Sequence, residues 1–303
     1  MIFCGVDGGG TKTKIIIAED EKILMSVTCG PSSIDTVTNE VTKSNIESGL
    51  KEIYDKLDIP QIDSIFLGLG GIASKEHKQA INELFRKSSY LRENAVINSD
   101  NDIKNAYLSS CSGRNNITII VGTGAVAYGV DELGNTHRTN GIHYLEGDFG
   151  GAYDVGVRAL KKMSLAFDGR IKHTDFTTKL LNKFNITNMP EIIAFFDKYK
   201  NDRTYIAQIA KLVTEYATLK DNYAEEILDE ATDEMLLSII GVDKKISLNN
   251  REIGIVGSLG NSREYFNRLQ TKVAKYDSTI KLHSAELDPV EGSLIEARNQ
   301  ITK

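Results

Sequence analysis

The sequence has 303 residues, enough for two domains of about 150 residues each. Apolar residues make up 41% and charged residues 26%, the balance of a soluble globular protein. The formal net charge of -6 argues against bulk binding to nucleic acid or to an anionic membrane, but it leaves room for a local basic pocket that binds a phosphate.

No apolar run approaches the roughly 20 residues that span a bilayer, and the amino terminus shows no signal-peptide pattern. The three cysteines are widely spaced and include no C-x-x-C pair, which favours a reducing cytoplasm over a disulfide or metal framework. We therefore expect a cytoplasmic protein without a nucleic-acid or membrane partner.

Strand-like and helix-like patterns alternate along the first 115 residues. Apolar runs bounded by turn residues predict strands, and apolar positions three or four residues apart predict helices. The predicted strands are 2–6, 13–18, 23–28, 62–71 and 95–98, and the predicted helices are about 37–57 and 75–88. This alternation indicates an α/β domain around a central sheet.

After a predicted boundary near residues 112–116, the same plan starts again. An apolar strand, a glycine turn at 122–124, a second strand, a charged turn and a third strand repeat the order of residues 2–28. We interpret this as an internal duplication, with two unrelated hairpins as the alternative. The predicted domains are 1–114 and 115–303.

The second domain is predicted to be mainly helical from residue 148 to about 240. The later elements are a strand at 251–260, a helix at 262–275, a short strand near 280 and a last helix at 289–299. We expect the last helix to pack back on the first domain. The helical insert at 170–243 is our candidate for a homodimer interface.

The stretch GVDGGGTKTK raises the question of what binds directly after the first strand. Without Cβ atoms, Gly8–Gly10 let backbone N–H groups approach an anion and form a concave site. Thr11 adds a hydroxyl, and Lys12 or Lys14 adds a positive charge. Asp7, at the strand end, is suited to hold Mg²⁺ directly or through water.

This glycine turn matches neither of two familiar phosphate fingerprints. It lacks the G-x-x-x-x-G-K-[ST] spacing, and it leads into a strand, whereas the dinucleotide-binding pattern leads into a helix. One glycine turn is weak evidence, because hairpins use glycine routinely. A second turn at the same place in the second repeat strengthens the prediction of a phosphate site.

Several motifs together resemble a known family. The stretches GVDGGGTKT, GTGAVAYG, EGDFGGAYDVG and IVGSLG, and the ending DPVEGSLIEAR, are similar to the actin/sugar-kinase/Hsp70 ATPase superfamily. Within it they resemble the BadF/BadG/BcrA/BcrD ATPase and N-acetylglucosamine kinase group, over nearly the whole chain. The resemblance implies an α/β fold of two ribonuclease-H-like (actin-like ATPase) domains with a nucleotide cleft between them.

The resemblance also implies an activity. We expect an ATP- and Mg²⁺-dependent kinase that phosphorylates N-acetylglucosamine, N-acetylmuramic acid or both, at the 6-hydroxyl, in amino-sugar or cell-wall salvage. In such kinases the domains close over the substrates, which excludes water and limits wasteful ATP hydrolysis. A homodimer is common in the group.

The resemblance assigns ligands to individual residues. Those assigned to ATP are Gly9, Gly10, Thr11 and Lys12 in the first turn, Gly122, Thr123 and Gly124 in the second, and Gly257 and Ser258 in the adenosine motif. Asp7 is assigned to Mg²⁺. Those assigned to the sugar are Gly71, Asp100, Gly141, Ile142, His143 and Asp148.

Asp100 is the expected catalytic base, because it follows the strand AVIN where the sugar kinases of this group carry their aspartate. Such a carboxylate orients the sugar hydroxyl and accepts its proton as the phosphoryl group arrives. A helix N-cap is the structural alternative, and Asp102 is the competing carboxylate. Asp148 has a similar N-cap alternative, and we expect His143 to line the pocket and not to act as a base.

Departures from the family pattern affect the sugar pocket. Ile34 stands where the eukaryotic enzymes carry an asparagine for the sugar, so we expect Ser33 or Asp35 to contact the sugar instead. Ala125 and Val126 replace polar residues after the second glycine turn. A more open and less polar pocket near the 3-position would admit the lactyl ether of N-acetylmuramic acid.

Three other functions compete with this interpretation. An activator of 2-hydroxyacyl-CoA dehydratases would need cysteines for a [4Fe–4S] cluster, but no second cysteine follows Cys111. A kinase-like sugar sensor would add a basic helix-turn-helix segment, which the sequence does not display. A glucosamine or other hexose kinase is the remaining alternative, although no obvious carboxylate cluster would bind a free amine.

Overall fold

The structure is a computed structural model that describes residues 1–199 and 202–302. The chain divides into two compact units. Unit 1 contains Met1–Arg114 and the segment from Ala285 onward, and unit 2 contains Asn115–Ser284. Among the described residues, no helix is both long enough and apolar enough to cross a membrane.

Unit 1 is built on a five-stranded sheet with the order β3-β2-β1-β4-β5. Its strands are β1 (Ile2–Gly8), β2 (Thr13–Glu19), β3 (Lys22–Cys29), β4 (Ile62–Leu69) and β5 (Leu91–Asn101). Its first helices are α1 (Asn39–Lys56), α2 (Lys75–Phe85) and α3 (Ile103–Ser110). Strands β1, β2 and β3 pair antiparallel, whereas β4 and β5 continue the sheet parallel to β1.

Unit 2 repeats this arrangement with the strand order β10-β9-β6-β7-β8. Its strands are β6 (Ile117–Val121), β7 (Ala125–Val130), β8 (Thr136–Asn140), β9 (Glu252–Val256) and β10 (Lys281–Ser284). Its helices are α4 (Ala152–Phe167), α5 (Asp175–Lys183), α6 (Met189–Tyr199), α7 (Arg203–Gln208), α8 (Ala210–Thr218), α9 (Asn222–Asp243) and α10 (Arg263–Tyr276). An antiparallel meander followed by parallel strands recurs in both sheets, as a duplicated plan requires.

The chain returns to unit 1 with its last helix, α11 (Pro289–Thr302). Strand β2 alternates its side chains between the two faces of the sheet, so both faces are apolar. Ile15 lies in the core on the face that α1 covers, and Ile16 shares a second buried core with Leu294 of α11. Helix α11 therefore completes unit 1 by covering the second face of its sheet.

Two alternatives from the sequence, in which Asp100 and Asp148 are helix N-caps, are wrong. Strand β5 runs through Asn101, because its pairing with β4 continues to Gly68 opposite Asp100 and Leu69 opposite Asn101. Asp100 therefore lies inside a strand and is not a helix N-cap. Helix α4 begins at Ala152, so Asp148 is not an N-cap either.

Glycines set how closely α11 approaches the rest of unit 1. A Cβ on Gly292 would lie 2.1 Å from the carbonyl oxygen of Asn105 and 2.9 Å from the nitrogen of Ser109, both in the backbone of α3. On the other side, a Cβ on Gly5 of β1 would lie 2.6 Å from the backbone nitrogen of Leu294. Backbone atoms cannot rotate away as a side chain can, so the helix would have to move.

We predict that Gly292→Ala destabilises the protein by about 2 kcal/mol or more, because the added methyl group overpacks the contact between α3 and α11. Urea unfolding measures the change in free energy. Gly9→Ala is the matched control, since a Cβ there meets only the carbonyl oxygen of Lys12, at 3.4 Å. An unchanged free energy of unfolding in Gly292→Ala would contradict this packing.

Candidate functional site

The first glycine turn joins β1 to β2. The N–H of Gly9 donates to the carbonyl oxygen of Lys12 at 3.1 Å and closes the turn. A Cβ on Gly8 would lie 2.2 Å from the Oγ of Ser32, so Gly8 is required for packing, whereas the space beside Gly9 is open. In the described part of the chain, the N–H groups of Gly10 and Thr11 make no hydrogen bond. The turn therefore offers free donors beside an open space, the arrangement of an anion site.

Asp7 lies at the end of β1, directly before this turn. The Nδ2 of Asn105 donates to the Oδ1 of Asp7 at 2.7 Å. Burial raises the pKa of Asp7 to about 6, and the charge of Asp288 adds to the rise, while Asn105 and Lys14 oppose it. Carboxylate oxygens with an excess of negative charge are the ligands that Mg²⁺ takes in proteins. This donor set therefore fits the metal that the sequence assigns to Asp7.

Asp102 is the second partly buried carboxylate at this end of unit 1. It directly precedes α3, yet its side chain makes no capping hydrogen bond. A Cβ on Gly70 would lie 3.5 Å from the Oδ2 of Asp102. Burial raises the pKa of Asp102 to about 6, with further contributions from the charges of Asp7 and Asp35. A carboxylate with a pKa close to neutral is suited to proton transfer.

Asp100, the base expected from the sequence, has a different environment. Its Oδ2 forms an ion pair with the Nζ of Lys78 of α2 at 2.7 Å. Its Oδ1 accepts a hydrogen bond from the backbone N–H of Asn101 at 2.8 Å. Both carboxylate oxygens of Asp100 are thus engaged.

Three of the four residues of unit 1 that the sequence assigns to the sugar lie beside the same turn. A Cβ on Gly70 would lie 2.7 Å from the Oγ of Ser33. Gly71 has a φ of +84°, and a Cβ on it would lie 2.5 Å from the Oδ1 of Asp35. Ser33, Asp35 and Gly71 are therefore brought together, and Asp102 lies next to them.

A cavity of about 210 Å³ adjoins these residues. Ile34, which takes the place of the family's asparagine, forms part of its wall. Asn39 and His77 also line it, and neither was predicted from the sequence. They belong to the first turns of α1 and α2, and only the packing of these helices brings them to one cavity.

The second glycine turn joins β6 to β7 in unit 2. The N–H of Gly122 donates to the carbonyl oxygen of Gly124 at 3.0 Å, and a Cβ on Gly122 would meet nothing within 4 Å. Gly124 differs, because a Cβ there would lie 2.1 Å from the Oδ2 of Asp148. The start of α4 is tied to the turn, since the N–H of Ala152 donates to the carbonyl oxygen of Gly122 at 2.9 Å.

A cavity of about 230 Å³ in unit 2 begins at this turn. The predicted adenosine motif contributes Ser258, and the neighbouring Gly257 has a φ of +104° that favours glycine. Helices α7 and α8 supply the opposite wall, which was not predicted from the sequence. Its polar residues are Thr204, Gln208, Lys211 and Thr214. These two helices belong to the insert, so no local motif pointed to them.

Asp148 is a buried carboxylate at the end of the loop after β8. The Nη2 of Arg203 donates to its Oδ2 at 3.2 Å. Burial raises the pKa of Asp148, and the positive charges of Arg203, Arg138 and His143 oppose the rise. A buried carboxylate with one direct partner retains acceptor sites for the hydroxyl groups of a ligand.

The other residues of this loop that the sequence assigns to the sugar are mostly exposed. Gly141 has a φ of +64°, which lets the chain turn after β8. Ile142 is 84% exposed. The Nδ1 of His143 pairs with the Oε2 of Glu146 at 2.8 Å near the surface. Their contact with a sugar stays a prediction.

Comparisons with known proteins agree with the resemblance seen in the motifs. The model of the BadF/BadG/BcrA/BcrD ATPase family matches residues 4–297. An N-acetylmuramic acid/N-acetylglucosamine kinase from Clostridium acetobutylicum is 28% identical, over 98% of this chain and 98% of its own length. An N-acetyl-D-glucosamine kinase from Dictyostelium discoideum is 26% identical, also over 98% of each chain.

Among solved structures, a candidate N-acetylglucosamine kinase from Chromobacterium violaceum superimposes with a TM-score of 0.80. It is 22% identical to this chain and covers 97% of this chain and 98% of its own. This likeness confirms the predicted fold class of two actin-like ATPase domains.

We predict that Asp102→Asn stabilises the metal-free protein by about 1 to 3 kcal/mol at pH 8. The pKa of Asp102 is about 6 in the folded chain against an ordinary value of 3.8. The folded state therefore binds more protons than the unfolded state between these values, and stability falls as the pH rises through that window. Asparagine carries no charge. The gain in the free energy of unfolding of Asp102→Asn over the wild type should therefore be full above pH 6 and vanish below about pH 4.

Urea unfolding between pH 4 and pH 8 in the presence of a chelator measures this effect. Asp100→Asn is the matched control, because it removes only a partly exposed ion pair and should change stability by no more than about 1 kcal/mol. Equal stability of Asp102→Asn and the wild type at pH 8 would mean that burial of the charged Asp102 carboxylate does not destabilise the fold.

Proposed function

The chain belongs to the BadF/BadG/BcrA/BcrD ATPase family, and from this premise we propose that the protein is an ATP-dependent kinase of N-acetylated amino sugars. The names of the two curated relatives support this substrate class. The observation that carries the proposal is the grouping of Asp7, Asp102 and a glycine turn with free N–H donors at one end of unit 1.

ATP binding is proposed for residues in both units. In unit 1 the phosphates would contact the turn formed by Gly9, Gly10, Thr11 and Lys12. In unit 2 the proposed residues are Gly122, Thr123, Gly124, Gly257 and Ser258. The cavity of about 230 Å³ supports this part of the proposal, because it runs from the second turn to α7 and α8 and gives the adenosine a partly apolar wall.

Asp7 is the proposed Mg²⁺ ligand. Bound Mg²⁺ would neutralise charge on the phosphates of ATP, and it keeps several of its waters when one or two carboxylates hold it. Asp288, close enough to raise the pKa of Asp7, pairs with the Nζ of Lys14 at 2.5 Å, so Lys14 offsets part of its negative charge.

We propose Asp102, in place of Asp100, as the general base. A sugar hydroxyl is a poor nucleophile, and a carboxylate that accepts its proton as the new O–P bond forms lowers the barrier. Asp102 has a pKa of about 6 and no capping role, whereas the carboxylate of Asp100 is paired with Lys78. In this proposal Asp100 and Lys78 support the end of β5.

Sugar binding is proposed for Ser33, Asp35 and Gly71 on unit 1. Asp102 lies beside these residues, so a hydroxyl held there could transfer its proton to it. On unit 2 the proposed sugar residues are Gly141, Ile142, His143 and Asp148. We further propose transfer to the 6-hydroxyl, a cytoplasmic role in amino-sugar or cell-wall salvage, and a homodimer.

We predict that Thr214→Trp raises the Kd for ATP about tenfold or more, because the indole would fill the cavity between α8 and Ser258. Thr218→Trp is the matched control, since Thr218 is exposed one turn further along α8 and does not line the cavity. Isothermal titration with a non-hydrolysable ATP analogue gives both values. Equal affinity in the two variants would place the nucleobase elsewhere.

We predict ADP release from Mg-ATP with N-acetylglucosamine or N-acetylmuramic acid, and little with glucosamine, glucose or no sugar. Asp102→Asn should lower kcat by about 10³-fold, because it removes the proton acceptor, while Kd for ATP stays within a few-fold. A coupled assay of ADP release measures both.

The variant Asp100→Asn distinguishes between Asp100 and Asp102 as the general base. If Asp102 is the base, this variant should retain kcat within about tenfold. A loss of kcat in Asp100→Asn that equals or exceeds that in Asp102→Asn would return the role of base to Asp100. ADP release without any sugar, or release with glucosamine or glucose but not with the N-acetylated sugars, would refute an N-acetylated substrate.

A further inference from the structure

Positive charge gathers around the buried carboxylate of Asp148. Arg203, the first residue of α7, donates to Asp148 at 3.2 Å. Arg138 of β8 approaches from the other neighbouring element, and its side chain donates to the carbonyl oxygen of Gly141. His143 also faces this region but pairs with Glu146. Two guanidinium groups thus lie in a region that also holds the carboxylates of Asp148 and Glu146.

The guanidinium of Arg203 keeps unused donors. Its five N–H groups form a planar fork, and among the described residues its polar contact is the single bond from Nη2 to Asp148. One face of the group lies over the ring of Tyr144, 5.2 Å from the ring centroid, which fixes its orientation. The side chain is 43% exposed, so a ligand can reach it.

The guanidinium of Arg203 offers free N–H donors beside Asp148, and Arg138 adds a second guanidinium near the same carboxylate. An exposed pair of guanidinium groups is well suited to a carboxylate, which it can bind through parallel hydrogen bonds.

We propose that Arg203 and Arg138 bind a carboxylate of the substrate, so that the preferred sugar is an N-acetylated hexosamine with an acidic side arm. The 3-O-lactyl ether of N-acetylglucosamine, N-acetylmuramic acid, has this chemistry. Asp148 would then accept hydrogen bonds from the neutral sugar hydroxyls. The inference rests on the proposed sugar-binding role of Asp148.

A phosphate of ATP is the competing anion for Arg203. A Cβ on Gly124, in the second glycine turn, would lie 3.0 Å from the Nη2 of Arg203, so this turn is close. The carboxylate of Asp148 bonds the same nitrogen, however, and its negative charge would repel a multiply charged phosphate there. A sugar with a carboxylate side arm fits this site better than a phosphate does, because its hydroxyls can donate to Asp148 and its single negative charge can pair with the arginines.

The test compares N-acetylmuramic acid with its methyl ester, which keeps the lactyl arm and loses the charge. In the wild type, kcat/KM for the acid should exceed that for the ester by about 10- to 100-fold. Arg203→Met should lower this acid-to-ester ratio about tenfold or more, and Arg138→Met should lower it as well. Arg170→Met is the control, because Arg170 pairs with Asp168 away from this surface and should leave the ratio unchanged.

The acid-to-ester ratio of the wild type tests the inference even if a variant fails to fold. A ratio near one, with N-acetylglucosamine still phosphorylated, would overturn the inference and leave the proposed kinase intact. An equal loss for acid and ester in Arg203→Met would also overturn it and assign Arg203 to ATP or to holding Asp148. No turnover with any of the three sugars would refute the proposed function and the inference together.

Discussion

The side-chain amide of Asn105 holds together the end of unit 1 on which its proposed chemistry depends. Asn105 is fully buried, and its Nδ2 donates to the Oδ1 of Asp7 at 2.7 Å and to the carbonyl oxygen of Gly68 at 3.2 Å. A Cβ on Gly68 would lie 2.1 Å from the amide oxygen, so only glycine leaves room for this contact. The amide ties α3 to β1 and β4, and it thereby fixes Asp102, at the start of α3, relative to Asp7.

This arrangement holds like charges close together inside a folded chain. Asp7 and Asp102 each have a pKa near 6 because burial disfavours their charged forms, and the charge of Asp7 adds to the effect on Asp102. Such carboxylates lower the stability of the fold, which is a common property of sites selected for chemistry. They would also repel ATP unless a cation intervened, so the acidic cluster and the expected requirement for Mg²⁺ have the same physical origin.

Much of the fold could be predicted from the sequence, because its patterns are local. The five strands and two helices predicted in residues 1–115 are all present, and the glycine turns lie between the strands that the apolar runs predict. The end of β5 could not be predicted in this way, since it depends on how far β4 offers a partner. That non-local pairing places Asp100 in a strand and Asp102 before a helix. The local sequence NSDND does not predict this difference.

The polar wall of the cavity in unit 2 and the arginines around Asp148 could not be predicted for the same reason. Thr214 and Arg203 are ordinary helix residues in the sequence, and roles can be proposed for them only because α7 and α8 pack against the turn at residues 122–124. Asp148 was found through a motif, but the charge of its surroundings comes from residues about 10 and 55 positions away along the chain. Electrostatic specificity depends on such distant neighbours, so it can be read from the folded chain and not from a motif.

Within each of the two glycine turns, different glycines are needed for different physical reasons. In each turn one glycine is packed so tightly that a Cβ would collide: Gly8 against Ser32 and Gly124 against Asp148. In each turn another glycine, Gly9 or Gly122, closes the turn through its own N–H and has open space where a side chain would be. Packing alone accounts for the first kind. The second kind has no packing reason in the described structure, and an open position next to free backbone donors is what an approaching phosphate requires.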